Sequence, residues 1–431
     1  MIQHILKIIW TERRINFWIL LELLIIFCII WFCTDYFTFM CRRYLKPTGF
    51  DIENTYMVEV SQDAAYIEEL VKNSGQTKDE ILNEYGWLIY ERVKQYSDVL
   101  AASLSVNTYP YNGGMNSSQV FVNNDTIPVR ETVYDRRVSP EFFDVFRIKF
   151  ISGKTFNPDD INRKVAIING DENNTMGGHP ITEVNTIRDK FSPTGDARYD
   201  VIGVLERTKR DPFYRYENEA YRLIDKSEIS YLGNGSVKLC IRTKDNVDPN
   251  TFVKKFTADM YDQLNVGVFY LVKVVPFESI KEKYMFWANY SGMFKNLGAV
   301  VIFLLANIFL GLIGTFWFRS RQRRSEIGLR MAIGSSQSGV KRIFIGETLL
   351  LVTIACIIGA FISFNIGISD ILREVGFPMA RDRNYEIMDW LQYSLNFGVT
   401  FFIIATVSTL AVWYPARQVA KTQPADALRD E

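Results

Sequence analysis

The chain has 431 residues, 48% of them hydrophobic, and Lys+Arg and Asp+Glu both total 49. Balanced charge excludes the basic excess of a nucleic-acid binder. A soluble fold is excluded too, because it would have to bury four nearly charge-free runs of about twenty residues each.

Those runs are expected to be transmembrane helices at 17–40, 293–318, 343–368 and 391–413, each long enough to cross ~30 Å of hydrocarbon. The first is longer than a signal-peptide core, and Tyr36, Phe37, Phe39 and Met40 stand where a small-x-small cleavage site would be, so it reads as a retained anchor. Glu22 and Asp35 lie near its ends, where they are expected to reach water. Five cysteines (Cys28, Cys33, Cys41, Cys240 and Cys356) form no CxxC pair or Cys/His cluster, which points to neither a metal site nor a disulfide framework.

Orientation is set by the short loops. Residues 319–342 carry Arg319, Arg321, Arg323, Arg324, Arg330, Lys341 and Arg342 against Glu326, whereas residues 369–390 are mainly acidic. The first loop is therefore expected in the cytoplasm with both termini, 1–16 and 414–431, and the stretch 41–292 outside. Arg319, Arg321 and Arg323 are read first as topology signals and lipid contacts.

The long stretch 41–292 alternates between element signals. Thr55–Val60 reads as a strand, Lys78–Gln95 as an amphipathic helix, and Val165–Ile168, Tyr199–Leu205 and Val237–Arg242 as strands. A second helix is expected over Pro249–Leu264. Strand–helix–strand at both ends with a β-rich middle predicts an α+β domain of two subdomains. The fold class is thus an α-helical membrane protein of four spans with a large extracytoplasmic α+β domain between the first two.

Val138-Ser139-Pro140-Glu141-Phe142-Phe143-Asp144-Val145-Phe146, with Ile151-Ser152-Gly153-Lys154-Thr155-Phe156, resembles the periplasmic core domain of MacB-type ABC permeases. Val165–Asn169 and Tyr199–Val204 are similar to later parts of that domain. Arg324–Gly334 looks like the FtsX-type permease signature, joined by Glu347, Tyr414–Arg417 and Gln423–Arg429. The resemblance implies a non-catalytic permease in a bacterial inner membrane. It would act as a homodimer or with a related permease, and each copy would pass ATP-driven movement to its periplasmic domain. Its partners would be an ABC ATPase subunit, which binds the ATP and Mg, membrane lipids and, for an exporter, a periplasmic adaptor and outer-membrane channel. The sequence has no GxxxxGK[ST]; near Gly153-Lys154-Thr155, Ile148 occupies the place of the first glycine, and this segment reads as a turn before a strand. The ATPase is accordingly expected on another chain. A different class, a regulator of a periplasmic cell-wall hydrolase, is the alternative, and a membrane-anchored sensor a third.

The coupling site expected from this resemblance is Arg324, Glu326, Ile327, Leu329, Arg330, Met331, Ala332, Ile333 and Gly334. The stretch 321–333 lacks proline and suits a helix. Gly334 supplies a stop, and Ser335 or Ser336 a cap for the next helix. Apolar residues are spread around the 321–333 helix, so it would be gripped from more than one side. The tail 414–431, broken by Pro415 and Pro424, is a second candidate contact. Gly311, Gly314 and Gly359 are candidates for close helix packing.

Overall fold

The structure, a computed structural model, describes residues 9–368 and 390–421, apart from 107, 115, 124, 126, 129–132, 158, 161–162 and 190–196. Apart from Trp390, the expected loop 369–390 lies outside the described residues, as does most of the expected tail, including Pro424 and Gln423–Arg429. Chain contacts divide the molecule into two units, residues 1–42 with 290–431, and residues 43–289.

The first unit is built on four helices long and apolar enough to cross a membrane. They are α1 (Arg13–Leu45), α7 (Tyr290–Gln322), α9 (Gln337–Ile368) and α10 (Trp390–Ala420). Each overruns its apolar block, since helix continues wherever neighbouring backbone groups can still pair. Pro415 was expected to break the tail 414–431, but α10 runs through it to Ala420. The ring removes only the donor to the Ala411 carbonyl, a local loss that spanning helices accommodate.

Phe27, Ile30, Val352, Ala355, Ile404 and Val412 form the centre of this bundle. Gly359 on α9 is one close approach: a Cβ there would stand 2.3 Å from the Phe27 ring. Among the described residues a Cβ at Gly314 would meet nothing within 4 Å, which gives no sign of close packing there, and Gly311 faces the Glu22 carboxylate.

Asp35 is only 3% exposed. Its Oδ1 accepts from Gln392 Nε2 at 3.1 Å and Asn396 Nδ2 at 2.6 Å, and Gln392 also accepts from Arg42 at 2.8 Å. The expectation that Asp35 reaches water is therefore corrected: α1 continues ten residues beyond it to Leu45, and α10 supplies the amides that a buried carboxylate needs.

The second unit carries one long sheet. Its strands are β1 (Thr55–Gln62), β2 (Val99–Val106), β3 (Val120–Val122), β4 (Val133–Val138), β5 (Val165–Asn169), β6 (Thr186–Asp189), β7 (Ala197–Leu205), β8 (Glu219–Leu223), β9 (Val237–Thr243) and β10 (Phe269–Pro276). They pair in the order β10-β1-β9-β2-β4-β8-β5-β7-β6-β3, and two short strands, Ser117–Ser118 and Phe150–Gly153, join β4 and β7.

The end β10-β1-β9-β2 is antiparallel throughout. With α2 (Ala64–Ser74) and α3 (Lys78–Lys94) between its first two strands, and α5 (Pro249–Leu264) between its last two, it is a ferredoxin-like lobe. Residues 107–236 are inserted at its midpoint. Helix ends are set locally: Asp63 caps α2, Thr77 and Glu80 make a reciprocal capping box on α3, and Asp248 precedes Pro249 at the start of α5. Phe252, Phe256, Ile81, Ile89 and Val93 pack under the helices against Tyr56, Val58 and Leu239. Each large apolar side chain contributes roughly 2 kcal/mol by leaving water.

The inserted lobe holds β3–β8 and α4 (Phe142–Val145), with Phe142, Phe143, Phe146 and Ile167 in one core and Val122, Ile168 and Ile187 in another. Two subdomains are present, yet they share a sheet through the short register Ser105↔Val138 and Val106↔Arg137. Gly153 ends a strand instead of preceding one. Its φ is 81°, and a Cβ would fall 2.2 Å from the Ile202 carbonyl oxygen, so only glycine fits.

Candidate functional site

Between the second and third spans the chain forms α8 (Arg324–Ala332), separated from α7 by Arg323. Gly334, at φ 106°, ends the turn, and the Ser336 hydroxyl accepts from the Gly339 amide at 3.2 Å to open α9. Of the two expected caps, Ser336 takes the role.

Residues of the expected site fall on two faces of α8. Ile327 is buried at 6% exposure and Met331, one turn on, packs against the bundle core. Leu329 and Ile333, again one turn apart, are 52% and 79% exposed. Gly328 is buried, Arg330 half-buried, and Ala332 and Gly334 exposed. The side chains of Arg324 and Glu326 lie outside the described residues. An apolar pair on the inner face and another on the outer is the arrangement of a helix held by its own bundle and open to a second surface.

What holds α8 down is a buried ionic cluster that sequence reading missed. Arg319 Nη1 donates to Glu347 Oε1 at 2.7 Å, and Arg323 Nη1 donates to Glu347 Oε2 at 3.2 Å. Arg319 Nη2 also donates to Asn16 Oδ1 and stands 3.4 Å from Glu12 Oε2. Arg323 Nη2 is 2.5 Å from Glu12 Oε1. The cluster joins α1, α7 and α9 directly ahead of α8. Arg319 and Arg323 thus satisfy an internal carboxylate, and the lipid-contact reading is corrected for them: two acids, Glu12 and Glu347, converge on these guanidiniums, and burial rewards that pairing over solvation. Arg321 remains exposed, its guanidinium 5.4 Å from the Trp317 ring.

Residues 298–424 match the FtsX-like permease C-terminal family. Similar curated proteins include "Probable syringafactin export ATP-binding/permease protein SyfD" of Pseudomonas syringae pv. syringae, 25% identical over 307 residues, with 68% of this chain and 42% of the relative covered. "Macrolide export ATP-binding/permease protein MacB" of Salmonella paratyphi A is 24% identical over 299 residues, with 68% and 43% covered. Residues 298–424 thus form an FtsX-like permease domain, and two thirds of the chain is similar to MacB-type ABC permeases. The chain spans about two fifths of the length of these relatives. Among solved structures, the periplasmic region of MacB from Actinobacillus actinomycetemcomitans aligns at 13% identity and a TM-score of 0.32, covering 56% of this chain and 96% of that one. The extracellular domain of the transporter YknZ from Gram-positive bacteria aligns at 14% and 0.29, covering 51% and 100%.

Within the large domain, a second arrangement ties the chain that leaves α1 to a neighbouring loop. Residues 43–50, which carry the chain out of α1, are strapped by the loop 206–216. Lys209 Nζ donates to the carbonyls of Arg43 at 2.5 Å, Lys46 at 3.0 Å and Pro212 at 3.2 Å, capping the helix end with a cation. The Lys209 amide donates to Thr48 O at 2.9 Å and the Tyr216 hydroxyl to Pro47 O at 2.7 Å. Lys46 pairs with Glu172 at 2.6 Å. Gly49, at φ 80°, lets the chain pass so close that a Cβ would lie 2.3 Å from the Arg207 carbonyl oxygen. Burial pushes the Lys209 ammonium down to about 8. The chain leaves the domain differently: α6 (Phe277–Trp287) is followed by Asn289 at φ 55°, a single left-handed residue before α7.

In the inserted lobe, Glu219 is buried with Arg136 at 2.8 Å, and its other oxygen accepts from Asn169, Thr208 and Tyr221 at 3.0, 2.7 and 2.8 Å. A carboxylate fully engaged by donors rigidifies the lobe and leaves no free lone pair for acid–base work.

Proposed function

We propose that this permease couples a separate cytoplasmic ABC ATPase to its large domain, so that ATP-driven movement crosses the bilayer without a catalytic group on this chain. On this reading it sits in a bacterial inner membrane, with both termini and residues 319–342 in the cytoplasm and the domain at 41–292 in the periplasm. It works as a homodimer or beside a related permease. ATP and Mg belong to the ATPase, and the movement serves export or extraction of a substrate.

The observation that carries the reading is α8. Leu329 and Ile333 are exposed on a short helix whose opposite face is anchored by Ile327 and Met331 and whose entry is fixed by the Arg319–Glu347 pair. Two exposed aliphatics on a rigidly held turn fit an apolar cleft in a partner, and the anchoring transfers that partner's movement to the spans. The permease family and the ATP-binding/permease names of its relatives agree with an ATPase as that partner. The test is affinity purification of the tagged chain from mild-detergent membranes, with mass spectrometry of the recovered proteins. An ABC ATPase recovered with the natural chain and lost with Leu329→Asp/Ile333→Asp supports the reading. If none is recovered even after crosslinking in cells, the reading fails; a cell-wall hydrolase recovered alongside the ATPase would turn it toward hydrolase regulation.

A further inference from the structure

The helices α2, α3 and α5 cover one face of the ferredoxin-like lobe. On its other face a cavity of about 390 Å³ opens above β1, β9 and β10, walled by α6 and residues 109–113. Its floor is apolar (Met57, Val275), its walls carry Tyr109, Tyr111, Tyr284 and Trp287, and two lysines, Lys238 and Lys283, stand at its lining.

Charge in this cavity is one-sided. Glu59, its lining acid, is paired with Lys273 at 3.2 Å. Lys238 Nζ and Lys283 Nζ have no hydrogen-bond or ion-pair partner among the described residues, and neither do the hydroxyls of Tyr109 and Tyr111. The Tyr284 hydroxyl, by contrast, is committed to Asp211 at 2.9 Å. Burial pushes the Tyr109 phenol up to about 12, so it remains an O–H donor at neutral pH.

Tyr111 adds an independent sign. It is 6% exposed and sits at φ 62°, a left-handed backbone that is unfavourable for a bulky side chain. Its amide donates to the Arg210 carbonyl at 3.1 Å, and its ring contacts Phe50 and Tyr284. The surrounding structure holds an aromatic wall in place against its backbone preference, as happens at ligand clamps.

We propose that this cavity binds a single-chain anionic amphiphile drawn from the bilayer surface, its carboxylate or phosphate head between Lys238 and Lys283 and its chain against Met57, Val275 and the aromatic walls. Its volume falls within the ordinary range of small-molecule sites, about 300–1,000 Å³. Two unpaired cations with free phenols select an anionic head, and an aliphatic and aromatic lining selects an apolar body. Chain position points to the bilayer as the source. Trp287 lies three residues before the start of α7, and Phe286 and Trp287 are 88% and 73% exposed, in keeping with rings at a membrane interface. Any exported substrate and any ATPase contact are separate matters, and this site stands without them.

The test uses the full chain in nanodiscs of zwitterionic lipid, with palmitate bearing a photoactivatable diazirine as the probe. After irradiation, labelled peptides are mapped by mass spectrometry. Labelling of peptides that carry Met57, Tyr111 or Trp287 is expected, competed by dodecyl phosphate and by unlabelled palmitate but not by neutral dodecyl maltoside. Lys238→Glu/Lys283→Glu, both at solvent-accessible positions, should lower that labelling about tenfold with an unchanged circular-dichroism melt. Labelling confined to the spanning helices, or labelling of the cavity that the double variant leaves intact, overturns the proposal. So does equal competition by dodecyl maltoside, which would mean a nonspecific apolar surface. Competition by inorganic phosphate alone would make it a soluble-anion site and likewise overturn it.

Discussion

Glu347 on the third span meets Arg319 on the second at 2.7 Å, and neither side chain sees solvent: exposure is 0% for the acid and 2% for the arginine. The pair stands at the base of α8, so α8 and the bundle beneath it are tied at one point. Removing the acid leaves a buried guanidinium with half its compensation. Glu347→Ala should cost about 3–5 kcal/mol, read as a lower melting temperature of the detergent-purified chain. A Glu347→Met/Arg319→Met double variant should recover much of that loss, because a matched apolar pair leaves no stranded charge.

The outward pair behaves differently. Leu329 and Ile333 are exposed and contribute little to the bundle, so Leu329→Asp/Ile333→Asp should change stability by no more than about 0.5 kcal/mol. The same variant should lose stimulation of a co-purified ATPase. Thermal melts and ATP turnover measured on one preparation separate the two effects.

How much of this was legible in the sequence depends on where the partner lies. Hydropathy located the spans, and the bounds of α3, α5 and β9 were within two residues, because caps and periodicity are local. Asp35 and Arg319 were misread for the opposite reason. Their partners, Asn396 and Glu347, sit 361 and 28 positions away, and no local pattern distinguishes a solvated charge from one that folding will pair. The continuity of the sheet was hidden in the same way, since β2 and β4 meet only at Ser105 and Val106. The cavity beneath Tyr111 gave no sequence signal either: its lining comes from four separated stretches, and the left-handed φ of Tyr111 is imposed by them.

Gly359 and Gly314 provide a matched pair of tests in the spans. A side chain at Gly359 collides with the Phe27 ring, whereas Gly314 has open space. Gly359→Leu should destabilise the bundle by about 1–3 kcal/mol through overpacking, and Gly314→Ala should leave the melting temperature unchanged.

Lys209 has a pH signature. Its folded-state pKa of about 8 lies below the free-lysine value of about 10.4, so the folded chain sheds this proton first. Between those two values the unfolded state binds more protons, and the contribution of Lys209 to stability rises with pH. The melting-temperature gap between the natural chain and Lys209→Met should therefore move in favour of the natural chain from pH 7.5 to pH 10. A gap that stays constant would place the lysine in an unperturbed environment.

The most direct test of the proposed coupling is hydrogen–deuterium exchange on the full chain with a co-purified ATPase, with and without ATP. The account predicts that ATP changes exchange in residues 43–50 and 206–216, where Lys209 straps the chain leaving α1, and that Leu329→Asp/Ile333→Asp abolishes this change. Exchange that responds to ATP in α8 while those two segments stay the same would contradict it: an ATPase would bind the permease without moving the domain.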